Sequence, residues 1–219
     1  MVVTPITDRV KPISPQIAPI AEQETHQNKT FVTLDEYRSL SETADERLEY
    51  CNGEIFAMSG GSHPHSRIAV NIIIFLGITL RDTDFQVCNG DMRIWIPEFQ
   101  CGTYADALVI SGEPEFNDTR TDEILNPVLV VEVLSPSTQG YDRGEKFRKY
   151  RSVASLSEYL LISQSEPYIE HYSRDISKSD NGDIWQLQIS DRLNQKITLS
   201  SLNIEVPLAE IYRRIAGIS

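Results

Sequence analysis

Two carboxylates interrupt the most apolar stretches of the chain. Asp106 stands inside Tyr-Ala-Asp-Ala-Leu-Val-Ile, and Glu132 inside Val-Leu-Val-Val-Glu-Val-Leu. A carboxylate in a central strand gives up most of its hydration, at a cost of several kcal/mol unless a counter-charge or a metal replaces the water. Two such acids on neighbouring strands can share one cation, and hard divalent ions prefer oxygen ligands of this kind. Beyond Glu132, the segment from Asp142 to Tyr150 reads as a helix on which Lys146 and Tyr150 share a face at i, i+4. Positions 143–151 hold five basic residues and one acid, against the trend of the whole chain. Arg143, Arg148 and Lys149 therefore stand where a polyanion would approach, while the acids hold a metal against a phosphate.

The elements that must position these groups follow from local signals. Thr33-Leu-Asp-Glu36 is a capping box and starts a helix running to about Glu42. Asn52-Gly53 between short apolar runs predicts a hairpin, and Asn89-Gly90 predicts a second one. Ser62 caps a long helix from about Pro64 to Arg81, with Pro64 in its first turn. Ile68, Ile72, Phe75 and Leu76 share one face, and Ile73 and Leu80 widen it, so this helix is expected to be deeply buried. Tyr104–Ser111 and Val128–Leu134 are the most apolar strand candidates and belong in the middle of a sheet. Glu158–Ser163, Tyr168–Ser173 and Ile184–Ile189 read as further strands, with a turn at Asn181-Gly182. A short closing helix is expected from Val206 to Ile215. The pattern is a mixed α/β (α+β) domain over residues 31–219, preceded by a mobile arm over residues 1–30 that contains four prolines.

Composition narrows the function. The chain has 219 residues, with 20 Lys and Arg against 32 Asp and Glu, for a formal net charge of −12. Bulk charge therefore argues against a protein that coats nucleic acid or anionic membrane, although a local basic groove remains compatible with it. No run is long enough to span a bilayer, and no signal peptide is evident. Three cysteines, Cys51, Cys88 and Cys101, make a poor disulfide framework and fit a reducing, cytoplasmic setting. Neither the cysteines nor His63, His65 and His171 have structural zinc spacing. Gly60-Gly61 lacks the Lys-Ser/Thr of a P-loop, no nucleophile elbow is present, and no aromatic-rich platform for single strands is evident.

Taken together and in order, several segments resemble the Uma2-type endonucleases, a family abundant in cyanobacteria and placed in the PD-(D/E)xK nuclease superfamily. They are Arg47-Leu-Glu-Tyr-Cys-Asn-Gly-Glu-Ile, His65 at the head of the long helix, Tyr104-Ala-Asp106-Ala-Leu-Val, Glu132-Val-Leu-Ser-Pro-Ser-Thr, Lys146-x-x-x-Tyr150 and Ser157-Glu-Tyr-Leu-Leu-Ile. The resemblance covers roughly residues 33–172. Two positions depart from the pattern: Ala105 stands where the family has proline, and Leu134 where the superfamily motif has lysine, so that Lys146 on the following helix takes the lysine role.

The resemblance implies a restriction-endonuclease-like core, a central mixed sheet flanked by helices with added hairpins. It implies metal-assisted hydrolysis of DNA, most simply duplex, by a homodimer. Asp106, Glu132 and Lys146 would be catalytic. Asp106, Glu132, Glu49 and the Val133 backbone carbonyl would ligate Mg²⁺ or Mn²⁺, with His65, Asp91 and Tyr150 in support. The alternative is a non-catalytic module that keeps the scaffold to bind a protein or nucleic-acid partner.

Overall fold

The computed structural model describes residues 31–58, 60–175 and 184–218. The arm over residues 1–30 and the turn at Asn181-Gly182 lie outside the described residues. The chain runs α1 (Leu34–Thr43), β1 (Leu48–Cys51), β2 (Glu54–Ala57), α2 (His63–Thr79), β3 (Phe85–Asn89), β4 (Arg93–Ile96), a 3₁₀ turn (Pro97–Phe99), β5 (Cys101–Tyr104), β6 (Ala107–Ser111), β7 (Glu123–Ile124) and β8 (Pro127–Leu134). It continues through α3 (Gln139–Tyr141), a π-helical turn (Asp142–Lys146), α4 (Phe147–Tyr150), β9 (Glu158–Ser163), β10 (Ile169–Arg174), β11 (Trp185–Ser190), β12 (Lys196–Leu199), β13 (Ile204–Pro207) and α5 (Leu208–Ile211).

A six-stranded mixed sheet in the order β11-β10-β9-β8-β6-β3 forms the centre. β8 and β9 are parallel and its other pairs antiparallel. Every residue of β8 and of β9 is buried, as expected of strands covered on both faces. Alternation along the strands sorts side chains between two cores. Leu129, Val131, Val133, Leu160 and Ile162 meet Ile68, Ile72 and Leu76 of α2 and the β12–β13 hairpin. Val130, Leu134, Tyr159 and Leu161 meet Phe147 and Tyr150 of α4 and Ile94 and Ile96 of β4. Glu132 has the parity of the second set, so it points toward α4. Ile68, Ile72 and Leu76 have no exposed surface, and each contributes about 1.5–3 kcal/mol by burial.

Local signals that are self-contained behave as expected. Thr33 and Glu36 form the reciprocal capping box of α1. Asn52 and Gly53 take positive φ of 47° and 91° and close the β1–β2 hairpin, since a tight hairpin turn of this twist needs the left-handed region at both positions. Ser62 accepts from the His65 amide and caps α2.

Five expectations are corrected. Asn89-Gly90 turns the chain, but β3 and β4 do not pair: β3 joins β6, whereas β4 joins β5 and β7 in a second sheet of order β2-β1-β5-β4-β7. The apolar run from Tyr104 to Ser111 is two strands rather than one. β5 ends at Tyr104 in the second sheet, β6 begins at Ala107 in the first, and Asp106 sits at the crossing between them. α2 is not buried all round, because Val70, Ile74 and Ile78 are 41%, 53% and 65% exposed along its outer stripe. The closing helix is confined to Leu208–Ile211, since the residues before it pair as β13 with β12. Finally, Cys51 and Cys101 are disulfide-bonded, and Cys88 is free. The antiparallel register of β1 and β5 sets those two cysteines opposite each other, although they stand 50 residues apart in the chain.

Candidate active site

One cavity of about 410 Å³ gathers the chemistry. Its walls include Asp106, Glu132, Val133, Lys146, Glu49 and His65, together with Arg47 and Asp142. Three layers position these groups: Glu132 and Val133 come from the central strand, Glu49 from the second sheet, and Lys146 from the helical segment after β8.

Glu132 Oε1 accepts from the Tyr150 hydroxyl at 3.0 Å and lies 2.9 Å from Lys146 Nζ. The predicted i, i+4 face is therefore realised, with both groups aimed at one carboxylate oxygen. Lys146 Nζ also donates to the Tyr104 carbonyl at 2.8 Å, and Glu49 Oε1 and Asp142 Oδ1 stand 3.8 and 4.0 Å away. The lysine carries a wider helical turn with it, since residues 142–146 are π-helical. Such turns often occur at functional sites. Glu49 is fixed by the Tyr104 amide at 3.0 Å and the Thr103 hydroxyl at 2.5 Å.

Asp106 is engaged differently. Its Oδ2 accepts from the Val133 amide at 2.7 Å and its Oδ1 lies 2.8 Å from His65 Nε2. The Asp106 amide donates to the Val131 carbonyl at 3.0 Å. Val133 thus turns its N–H toward β6, and its carbonyl lies on the same side of the strand, past the last paired residue of β6. His65 Nδ1 is buried with no partner among the described residues.

Burial sets the electrostatics. It pushes the Glu132 carboxyl well above the usual range, Asp142 and Asp106 push the same way, and Lys146 opposes them. Asp142 is raised by burial as well, again against Lys146. For Lys146, burial opposes the charged form, but Glu132, Glu49 and Asp142 outweigh it and raise its pKa well above normal, so it stays an ammonium. The hydrogen bond to Asp106 raises His65 against its burial, helped by the charges of Asp106 and Asp142 and by the Val133 carbonyl.

The sequence expectations fare unevenly. Asp106, Glu132, Lys146, Glu49, Val133 and His65 line the cavity, and Tyr150 is buried behind it against Glu132. Asp91 is not: it is exposed, bonded to Asn89 at 3.0 Å, and 3.6 Å from Arg47. The basic run does not form one free face either. Arg143 is bound to Glu170 at 2.7 Å, Arg148 to Glu145 at 2.8 Å, and Lys149 to the Tyr141 hydroxyl at 3.1 Å. Two charged residues of the cavity have no role assigned from the sequence. Asp142 precedes Lys146 at helical spacing, a signal that was available. Arg47 reaches the cavity wall by stacking near the Tyr104 ring at 5.8 Å, which no local pattern announces.

The donor set suits a hard divalent cation in its chemistry. Four carboxyl groups and a strand carbonyl meet one ammonium, one imidazole and the half-exposed Arg47 guanidinium, so that acidic groups outnumber basic ones in a largely buried space. Among the described residues, however, no three His, Cys, Asp or Glu side chains are already grouped in metal-binding geometry. Lys146 and His65 instead hold the two halves of the acid set.

Mixed sheets flanked by helices, with acids and a lysine at their junction, make up the architecture. The fold is similar to that of a crystal structure titled "putative nuclease belonging to DUF820" from Anabaena variabilis ATCC 29413, with a TM-score of 0.65 and 15% identity over 83% of this chain and 97% of that one. The chain belongs to the Uma2 family, described as "Putative restriction endonuclease", whose model matches residues 34–208. Two relatives from Synechocystis sp. (strain ATCC 27184 / PCC 6803 / Kazusa) carry the names of uncharacterised proteins. The protein sll1609 is 38% identical over 66% of this chain and 81% of its own length, and slr1290 is 39% identical over 83% and 92%. Among the described residues no helix is long and apolar enough to cross a membrane.

Proposed function

We propose that this cavity hydrolyses phosphodiester bonds of DNA with the help of Mg²⁺ or Mn²⁺. The observation that carries the reading is the convergence of Asp106, Glu132, Glu49 and Lys146 on one cavity, with carboxylates in excess over cations. Asp106, Glu132 and the Val133 carbonyl would hold the ion, with Glu49 beside them. When bound, such an ion polarises a phosphoryl oxygen and acidifies water. The protein's own groups do the rest. Arg47, half-exposed at the wall, draws in and positions the phosphate. Lys146, kept protonated by its three acids, supplies positive charge to the oxygen that becomes more negative. Tyr150 fixes the carboxylate of Glu132, and His65 holds a proton at Nε2 against Asp106. The reading includes a homodimer, one copy for each strand of a duplex, and a cytoplasmic setting, which light scattering and fractionation test.

Plasmid nicking with Mg²⁺ or Mn²⁺, run beside Glu132→Ala and Lys146→Ala, tests the reaction. Loss of nicking in both variants is expected, and equal nicking by all three proteins refutes the assignment.

A second reading has one observation in its favour. Lys146 and His65 already neutralise part of the acid set, as they would in a non-catalytic module that binds a partner. On that reading calorimetry detects no divalent-ion binding.

A further inference from the structure

A second groove, of about 790 Å³, adjoins the cavity and shares Glu49, Ser137, Thr138 and Tyr141 with it. Four aromatic rings line it, and they come from four separate segments: Phe31 ahead of α1, Phe56 on β2, Phe99 in the 3₁₀ turn and Tyr141 in α3. Phe31, Phe56 and Tyr141 are 69%, 48% and 41% exposed. Scattered exposed rings need no explanation, but rings gathered in one groove mark a binding surface. The placement of Phe31 depends on Gly53, where a Cβ would fall 2.3 Å from the ring's Cδ1. The sequence offered no hint of an aromatic platform, because its members are distant along the chain.

The charges of the groove say which part of a ligand it suits. Arg148 lies over Phe99 at 4.8 Å and Lys149 over Tyr141 at 5.2 Å. Glu54, Glu98 and Glu145 line the same space. Two cations among three further carboxylates do not select a phosphate. They suit a neutral planar group stacked on the rings, with the anionic part of the same molecule in the neighbouring cavity. A nucleotide has that division, and base-aromatic stacking is indifferent to the net charge of −12 that weakens duplex coating.

We infer that the groove takes an unpaired nucleobase next to the phosphate to be cut, so that a strand with an unstacked nucleotide is preferred over an uninterrupted duplex. The inference rests on the phosphodiesterase reading for the neighbouring cavity. A base inside a duplex already has both faces stacked, and extracting it costs a few kcal/mol, least at a bulge or in a single strand.

The test is binding in the presence of a chelator, so that no cleavage intervenes. The probe is a duplex with one unpaired, fluorescent aminopurine, set against the same duplex fully paired. The wild-type chain should bind the bulged probe at least about tenfold more tightly and change its fluorescence on stacking. Phe31→Ala and Phe56→Ala should each weaken this binding by about tenfold, Phe56→Trp should retain it, and Leu187→Ala on β11 should leave it unchanged. Equal affinity for the two probes, or undiminished binding by both alanine variants, overturns the inference. So does binding of an aromatic peptide that is lost in Phe31→Ala and Phe56→Ala without any response to the bulged probe, which would make the groove a protein-docking site. Duplex cleavage without a stacking response sinks the groove alone, whereas a stacking response without cleavage sinks the hydrolase reading alone.

Discussion

Lys146 Nζ stands 2.9 Å from Glu132 Oε1, with both side chains largely buried and the Tyr150 hydroxyl on the same oxygen. In this protein the lysine reaches the strand acid from the following helix, and a wider helical turn carries it there. The pair is held by more than its own attraction, since the Tyr104 carbonyl and two further acids surround the ammonium.

Removing one member should therefore be costly. Lys146→Ala leaves Glu132 buried without its cation, and urea unfolding should show a loss of about 3–5 kcal/mol together with loss of nicking. Adding Glu132→Gln to a Lys146→Met background should recover much of the stability and none of the activity. A double variant as unstable as Lys146→Ala would show that the pair's role in folding is misjudged.

Asp106→Asn keeps an oxygen for the Val133 amide, so the fold should survive. Calorimetric titration with Mn²⁺ should show ion binding weakened by about tenfold or more, since even groups one layer removed from a metal cost that much. Unchanged heats would mean that Asp106 is not a ligand, and an absence of heat in the wild-type chain would favour the non-catalytic module.

Arg47 is the half-exposed cation on the cavity wall. Arg47→Ala should weaken DNA binding for all sequences alike and reduce the slope of log K against log salt by about 0.9, the share of one phosphate contact. An unaltered slope would remove Arg47 from the binding surface.

Acid sensitivity should come from a different place. Glu123 has no exposed surface and takes hydrogen bonds from Arg38 at 2.7 Å, Asn117 at 2.7 Å and Arg93 at 3.2 Å. Burial alone would raise its carboxyl, but the Arg38 and Asn117 bonds and the guanidinium charges win and lower it. A depressed folded-state pKa gives stability that is present above the unfolded value near 4.5 and lost as pH falls through the folded one. The urea midpoint should therefore decline below about pH 4.5 in the wild-type chain. Glu123→Gln should be about 3–5 kcal/mol less stable at neutral pH and should show a shallower acid limb.

Much of the scaffold was legible because its signals are local. Thr33 with Glu36, Asn52 with Gly53 and Ser62 ahead of α2 each fix an element through contacts within a few residues. Glu132 was legible because a charge in an all-apolar strand is conspicuous. What escaped depends on partners far away in the chain. Nothing between Tyr104 and Ser111 reveals that Tyr104 pairs with β4 and the residues from Ala107 onward with β3 and β8. The Cys51–Cys101 bond follows from a strand register, and the neutralisation of Arg143 from Glu170 on another strand. A helical net placed Lys146 and Tyr150 on one face, but it could not show the π-helical turn that leads to them.

Because Asp106 occupies the step where the backbone leaves one sheet for the other, its carboxylate belongs to neither layer alone. Glu49 is carried by the outer layer and Glu132 by the inner one, so sliding the layers past each other changes the spacing of all three acids at once. The spacing of the three acids is thus tied to a seam, and the Cys51–Cys101 link joins two neighbouring strands, β1 and β5, on one side of it.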